Sequence, residues 1–113
     1  MLDGTRHEAR ERAVTLLYEA DIKSIAVSEA VAALHLSPDE YTETILGELE
    51  KQLVEIDVCI GAASTDWPIE RMPVIDRNIL RVATAELLTQ ADIPTAVIID
   101  EAVELAKQFS TDD

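Results

Sequence analysis

Hydrophobic residues recur every three or four positions over most of the chain, which is the spacing of amphipathic helices. The first such segment opens with Thr5 followed three residues later by Glu8, a capping box. This signal predicts a helix from about Arg6 to Ala20. Its predicted core-facing residues are Ala9, Ala13, Leu16, Leu17 and Ala20.

Because a helix turns by about 100° per residue, a second stripe of residues lies along another side of the same predicted helix. It consists of His7, Glu11, Val14 and Tyr18. Because this stripe points away from the predicted core, we expect Val14 and Tyr18 to be exposed. An exposed tyrosine beside an aliphatic residue is a frequent start of a protein interface, although packing across a neighbouring side chain explains it equally well.

Two more helices are predicted in the middle of the chain. A short one covers Ser28 to Leu34. A long one starts at Ser37-Pro38-Asp39-Glu40, which repeats the capping pattern with proline at the first helical position. Gly61 favours a left-handed cap and is the predicted end of the long helix. The apolar spacing of the long helix is held by Thr42, Leu46, Leu49, Leu53, Ile56 and Ile60.

The last third of the chain predicts a brief helical turn, Ile69 to Met72, and two further helices. One extends from about Val74 to Gln90 and has apolar residues on more than one face, as expected of a helix packed on two sides. Ile93-Pro94 separates it from a final helix, about Thr95 to Phe109. The core positions predicted for these two helices are Ile75, Ile79, Leu80, Val82, Ala83, Leu87, Leu88, Ile98, Ala102, Leu105, Ala106 and Phe109.

Composition supports one all-helical domain over residues 1–113, because 48% of the residues are hydrophobic and only three are glycine. Cys59 is the only cysteine, which excludes an intrachain disulfide and fits a reducing compartment. Apolar runs are far shorter than the roughly 20 residues that span a bilayer. We therefore expect a soluble, cytoplasmic protein without a membrane segment.

Charge narrows the possible partners. The formal net charge of −14 argues against non-specific binding to nucleic acid. Arg6, however, lies in the first helical turn, where the helix dipole disfavours a cation by a few tenths to about 1 kcal/mol. A function other than helix stability therefore explains it, and a contact to RNA or DNA phosphates is the first hypothesis. For Arg77 and Arg81, internal ion pairs are the favoured interpretation.

Motifs of catalysis are missing from the sequence. A glycine-rich phosphate loop, a nucleophile elbow and a metal-ligand spacing cannot be assembled, and the chain has two histidines, His7 and His35. The sequence thus predicts a protein that is not an enzyme and that needs no cofactor or metal.

Three sequence blocks, in the same order and spacing, make the chain similar to the NusB family over nearly its whole length. They are Arg6-His7-Glu8-Ala9-Arg10-Glu11-Arg12-Ala13-Val14, then Asp76-Arg77-Asn78-Ile79-Leu80-Arg81-Val82-Ala83 with Glu86-Leu87-Leu88, and Ile93-Pro94 with Asp100-Glu101-Ala102-Val103-Glu104-Leu105-Ala106-Lys107. The closing Ser110-Thr111-Asp112-Asp113 resembles the actinobacterial members. This resemblance implies two small helical bundles packed together.

The resemblance also implies a function. Members of this family are bacterial transcription antitermination factors that pair with NusE, a protein of the small ribosomal subunit. The pair binds the single-stranded boxA element of ribosomal RNA transcripts and joins an antitermination complex with RNA polymerase. Some members form homodimers that cover the arginine-rich helix start.

The resemblance implies two sets of site residues, at the positions of this sequence that match the motifs of the family. The implied RNA-binding residues are Thr5, Arg6, His7, Arg10, Phe109 and Asp113. The implied contacts to the partner protein are Tyr18, Glu70 and Asp76. The helical spacing of Phe109 equally predicts a core residue.

The chain departs from the family pattern because the Asn-Gly-containing final helix has no counterpart in it. We expect apolar surface around Leu105 to be exposed as a result. Glu8 and Glu11 also interrupt the basic start, so RNA affinity without the partner is expected to be weak. Two alternatives are an N-terminal RNA-binding domain of a ribosomal RNA cytosine methyltransferase and a purely structural helical module.

Overall fold

The computed structural model describes residues 5–109, which form five α-helices and one short 3₁₀ helix. This confirms the predicted all-helical class. The helices are α1 (Arg6–Lys23), α2 (Val27–Ala32), α3 (Glu40–Ala63), α4 (Val74–Thr89) and α5 (Thr95–Phe109), with the 3₁₀ helix Ile69–Arg71 between α3 and α4.

Helix α1 begins at the predicted capping box. The Thr5 hydroxyl accepts the Glu8 backbone N–H at 3.1 Å, and the Glu8 carboxylate accepts the Thr5 backbone N–H at 3.0 Å. The helix continues past its predicted end at Ala20 and stops at Ser24, which adopts a left-handed φ of 56°. Two of the four free N–H groups at the start of α1 are therefore satisfied locally, and the start is fixed in direction.

Helix α3 begins two residues after the predicted first position, Pro38, because Asp39 is its cap. The Asp39 carboxylate accepts the backbone N–H of Thr42 at 3.1 Å and the Thr42 hydroxyl at 2.7 Å. These bonds, together with Arg12, hold the pKa of Asp39 below its usual value despite the opposing effect of burial. Gly61 does not end the helix, which runs on to Ala63. The backbone kinks at Gln52, and Leu53 next to the kink is exposed instead of reaching the core.

The core lies between α1, α3 and α4, and both α2 and α5 contribute residues that pack against it. Packing on a second side of α1 buries Val14 completely, so its predicted exposure is wrong, whereas Tyr18 is exposed as predicted. Leu87 and Leu88 were predicted in the core but lie on the exposed side of α4. Leu105 is only 1% exposed and packs against the core, which corrects the expectation that it lies bare.

Ion pairs join α4 to α1 and α3. Arg81 donates from Nε and Nη2 to the two oxygens of Asp57 at 2.9 and 2.8 Å, and Arg77 lies 3.5 Å from Asp21. Asn78, which is completely buried, donates to the same Asp21 at 3.0 Å. The prediction of internal ion pairing for both arginines is confirmed.

Candidate nucleic-acid interface

The exposed amino end of α1 presents Thr5 and Arg6 to solvent, with the half-buried His7 beside them. The Arg6 guanidinium lies 5.3 Å from the centre of the Tyr41 ring at the start of α3. This is within the distance of a cation–π contact. The ring therefore holds a cation at a helix end that electrostatically disfavours it.

His7 is fixed between two side chains of α5. Its Nδ1 lies 2.7 Å from a Glu101 oxygen and its Nε2 lies 3.1 Å from Gln108. Gln108 also donates to Glu11. The hydrogen bond to Glu101 raises the pKa of His7, outweighing the opposite effect of burial. The imidazole is thus biased toward its cationic form at the exposed end of α1.

Arg10 lies one turn after Arg6 but faces inward and is only 4% exposed. Its Nε donates to both oxygens of Glu86 at 2.8 and 2.9 Å, and its Nη1 lies 3.4 Å from Glu101. Glu86 is 1% exposed, so this pair is enclosed by the fold. Among the described residues, Arg10 Nη2 has no hydrogen-bond partner.

Tyr41 completes the enclosed group, because its hydroxyl donates to the second oxygen of Glu86. Burial, and then the bond to Glu86, raise the pKa of the Tyr41 phenol well above its usual value. The phenol therefore stays protonated and remains a donor. We call Arg10, Tyr41, Glu86 and Glu101 the polar network; it connects α1, α3, α4 and α5.

The predicted RNA-binding residues fall into three groups. Thr5, Arg6 and His7 lie together at the exposed end of α1, whereas Arg10 lies beneath them in the polar network. Phe109 packs partly against the core, as its helical spacing also predicts. Asp113 lies outside the described residues. Sequence reasoning missed Tyr41, since its only local signal is its place two residues after the Asp39 cap.

The residues predicted to contact a partner protein do not share one groove. Tyr18, 42% exposed, lines an apolar groove of about 530 Å³ together with Ile22 and Phe109. Asp76 borders a different groove, beside Trp67. Glu70 is exposed on the 3₁₀ helix. These three positions therefore do not form a single cleft.

Residues 5–109 contain no group of three side chains suited to a metal ion and no helix with the length and apolarity needed to cross a membrane. The arrangement described above is that of an all-helical protein with an exposed basic helix end fixed on a buried polar network. Residues 7–113 match the sequence profile of the NusB family. The chain belongs to the NusB family.

Individual relatives support this assignment. The chain is 41% identical over 114 residues to the transcription antitermination protein NusB of Thermobifida fusca (strain YX), a match that covers 97% of this chain and 80% of the relative. The relationship to an antitermination factor confirms that the chain is not an enzyme.

Solved structures share the fold. T. maritima NusB superposes with a TM-score of 0.85 and 29% identity, covering 98% of this chain and 82% of that one. A protein chain in the crystal structure of a plectonemic RNA supercoil gives a TM-score of 0.76 and 25% identity, covering 92% of this chain and 80% of that one.

Proposed function

We propose that this chain is an RNA-binding adaptor of transcription antitermination that works in the cytoplasm as one NusB-like domain, residues 1–113. Together with NusE it binds the boxA element of ribosomal RNA transcripts and joins the antitermination complex of RNA polymerase. The main support is the match of 97% of the chain to an antitermination protein. That match favours the adaptor over the domain of a ribosomal RNA methyltransferase.

The RNA surface that we propose is the exposed end of α1. Arg6 supplies a permanent cation, His7 adds positive charge when it is protonated, and Thr5 contributes polar atoms beside them. Arg10 supports this surface from below, since its guanidinium is engaged by Glu86. Phe109 and Asp113 are proposed to extend the surface at the carboxyl end, where an aromatic ring can stack on an unpaired base.

The charge of Arg6 is the part of this surface that one substitution tests most directly. We expect Arg6→Glu to weaken binding of a boxA RNA by about tenfold or more in the presence of NusE, because it replaces a phosphate-binding cation with an anion. A glutamate in the first turn is favourable for the helix, so the fold is preserved. Fluorescence anisotropy across a salt series measures the affinity, and the salt slope should decrease by about 0.7–1.

Lys51→Glu is the matched control for Arg6→Glu, because it makes the same change in net charge. Lys51 is exposed on α3, about 15 Å along the helix from Tyr41 at 1.5 Å per residue. Equal losses of RNA affinity in Arg6→Glu and Lys51→Glu would show that the effect comes from the overall charge of the protein. Unchanged affinity in Arg6→Glu would contradict an RNA surface at this end of α1.

A second prediction concerns the surface for NusE. We propose Tyr18, Glu70 and Asp76 as contacts to the partner, and we expect Tyr18→Ala to weaken NusE binding by about tenfold, since exposed tyrosines often dominate interface energies. Isothermal titration calorimetry with purified NusE measures the change. Leu36→Ala, at an exposed position before α3, is the control and should leave the affinity unchanged. Equal affinities of Tyr18→Ala and the unaltered chain would remove Tyr18 from the interface.

A further inference from the structure

Tyr41 links the exposed end of α1 to the buried members of the polar network. Its ring lies beneath the guanidinium of Arg6, and its hydroxyl is bonded to Glu86. We propose that Tyr41 is a positioning residue for RNA binding, which holds the Arg6 guanidinium in place before RNA arrives. This inference rests on the proposed function and adds a residue to the site on which that function depends.

The first step of the argument is that Tyr41 is itself immobilised. The carboxylate of Glu86 is fixed by two bonds from Arg10 and is 1% exposed. The Tyr41 hydroxyl donates to this fixed carboxylate, and the ring packs against the core. A phenol whose two ends are held in this way has little freedom to rotate, so its face is a stable platform.

The second step concerns Arg6, whose side chain is long and exposed. Free arginine side chains lose rotamer entropy when they are fixed, and a binding event has to offset that loss. A guanidinium already placed over an aromatic face has lost part of this freedom in the unbound protein. Its other face and its N–H donors remain available to phosphates and bases.

The third step explains why two arginines lie one turn apart on α1. Arg10 fixes Glu86, Glu86 fixes Tyr41, and Tyr41 holds Arg6. The inward arginine therefore acts on the outward one through two side chains from other helices. Arg10 supports RNA binding in this scheme without touching RNA.

A double-mutant cycle between Tyr41 and Arg6 tests the proposal. We expect Tyr41→Leu to weaken boxA RNA binding by about twofold to fivefold in the presence of NusE, the range of an exposed cation–π contact. In an Arg6→Gln background the same change should have no further effect. Tyr41→Phe keeps the ring but removes its bond to Glu86, so it should weaken binding less than Tyr41→Leu does. Circular dichroism confirms that each variant is folded at the assay temperature.

A merely structural role for Tyr41 gives a different result. Tyr41→Leu would then weaken RNA binding equally with and without Arg6, which would overturn the proposal, as would an unchanged affinity. Failure of the unaltered chain to bind boxA RNA with NusE would overturn the proposed function and the positioning role with it.

An NMR measurement without RNA tests the contact between Tyr41 and Arg6 separately from its effect on RNA binding. In the NMR spectrum of the chain, ring currents of Tyr41 should displace the Arg6 side-chain protons upfield, and Tyr41→Leu should return them toward the values of a free arginine. No displacement in the unaltered chain would disprove the contact itself, whatever the RNA affinities are.

Discussion

Glu86→Ala is expected to lower the free energy of unfolding by about 3–5 kcal/mol, the usual result of removing one member of a buried ion pair. Glu86 is 1% exposed and receives bonds from Arg10 and Tyr41. Its removal leaves the buried Arg10 cation without its main counter-charge and deprives the Tyr41 hydroxyl of its acceptor. Urea denaturation followed by circular dichroism measures the difference in stability.

Glu55→Ala is a suitable control, since Glu55 is an exposed glutamate on α3. Its replacement should change stability by at most about 0.5 kcal/mol. If both variants had the same unfolding midpoint, the polar network could not be a significant part of the native state. A second variant, Glu86→Gln, keeps the shape of the side chain and removes only its charge, so it separates electrostatic from packing losses.

Leu105→Ala is the second substitution with a large expected effect, a destabilisation of about 2–5 kcal/mol. Leu105, at 1% exposure, is the fully buried residue of α5 that belongs to the common core cluster. Truncation removes apolar contacts and leaves a cavity that the surrounding helices can fill only in part. Thermal and urea unfolding provide the measurement.

Val103 is the control for Leu105 within the same helix, because it lies two residues from Leu105 on α5 and is exposed. Val103→Ala should therefore cost well under 1 kcal/mol. If Leu105→Ala were as mild as Val103→Ala, α5 would not be anchored to the core. The pair of substitutions tests directly whether this helix depends on Leu105.

Helix starts were the part of the fold most readily predicted from the sequence. The hydroxyl of Thr5 bonds to the backbone N–H three residues away, so short-range chemistry alone locates the start of α1. The carboxylate of Asp39 makes the same kind of bond, and α3 therefore begins two residues after the predicted Pro38. The carboxyl ends of the helices were harder to predict. Gly61 can end a helix but does not have to, and α3 continues past it because its helical bonds are not interrupted there.

Burial was predicted well on one face of α1 and poorly on the other. The spacing identified Ala9 and Leu16 as buried, but it could not reveal that other helices also cover Val14. On α4 the opposite error occurred, since Leu87 and Leu88 continue the apolar pattern beyond the region that neighbouring helices cover. Periodicity gives the direction of a side chain, and tertiary packing decides how far the covered surface extends.

The sequence predicted the exposed residues of the candidate site but not the side chains from other helices that hold them. Arg6 was noticeable because its charge conflicts with the helix dipole, which is a local property. The partner of Arg10 is Glu86, 76 positions away, and that of His7 is Glu101, 94 positions away. One sequence gives no means of pairing such distant charges, so Arg10 and Arg6 looked equivalent although one is buried and the other is not.

The polar network also joins residues that are translated at widely separated times. The ribosome adds Arg6 and Arg10 long before Glu86 and Glu101. A nascent chain therefore carries its basic segment for a long interval without the carboxylates that fix it. The proposed RNA surface is therefore complete only after residues from both of these distant segments have been translated.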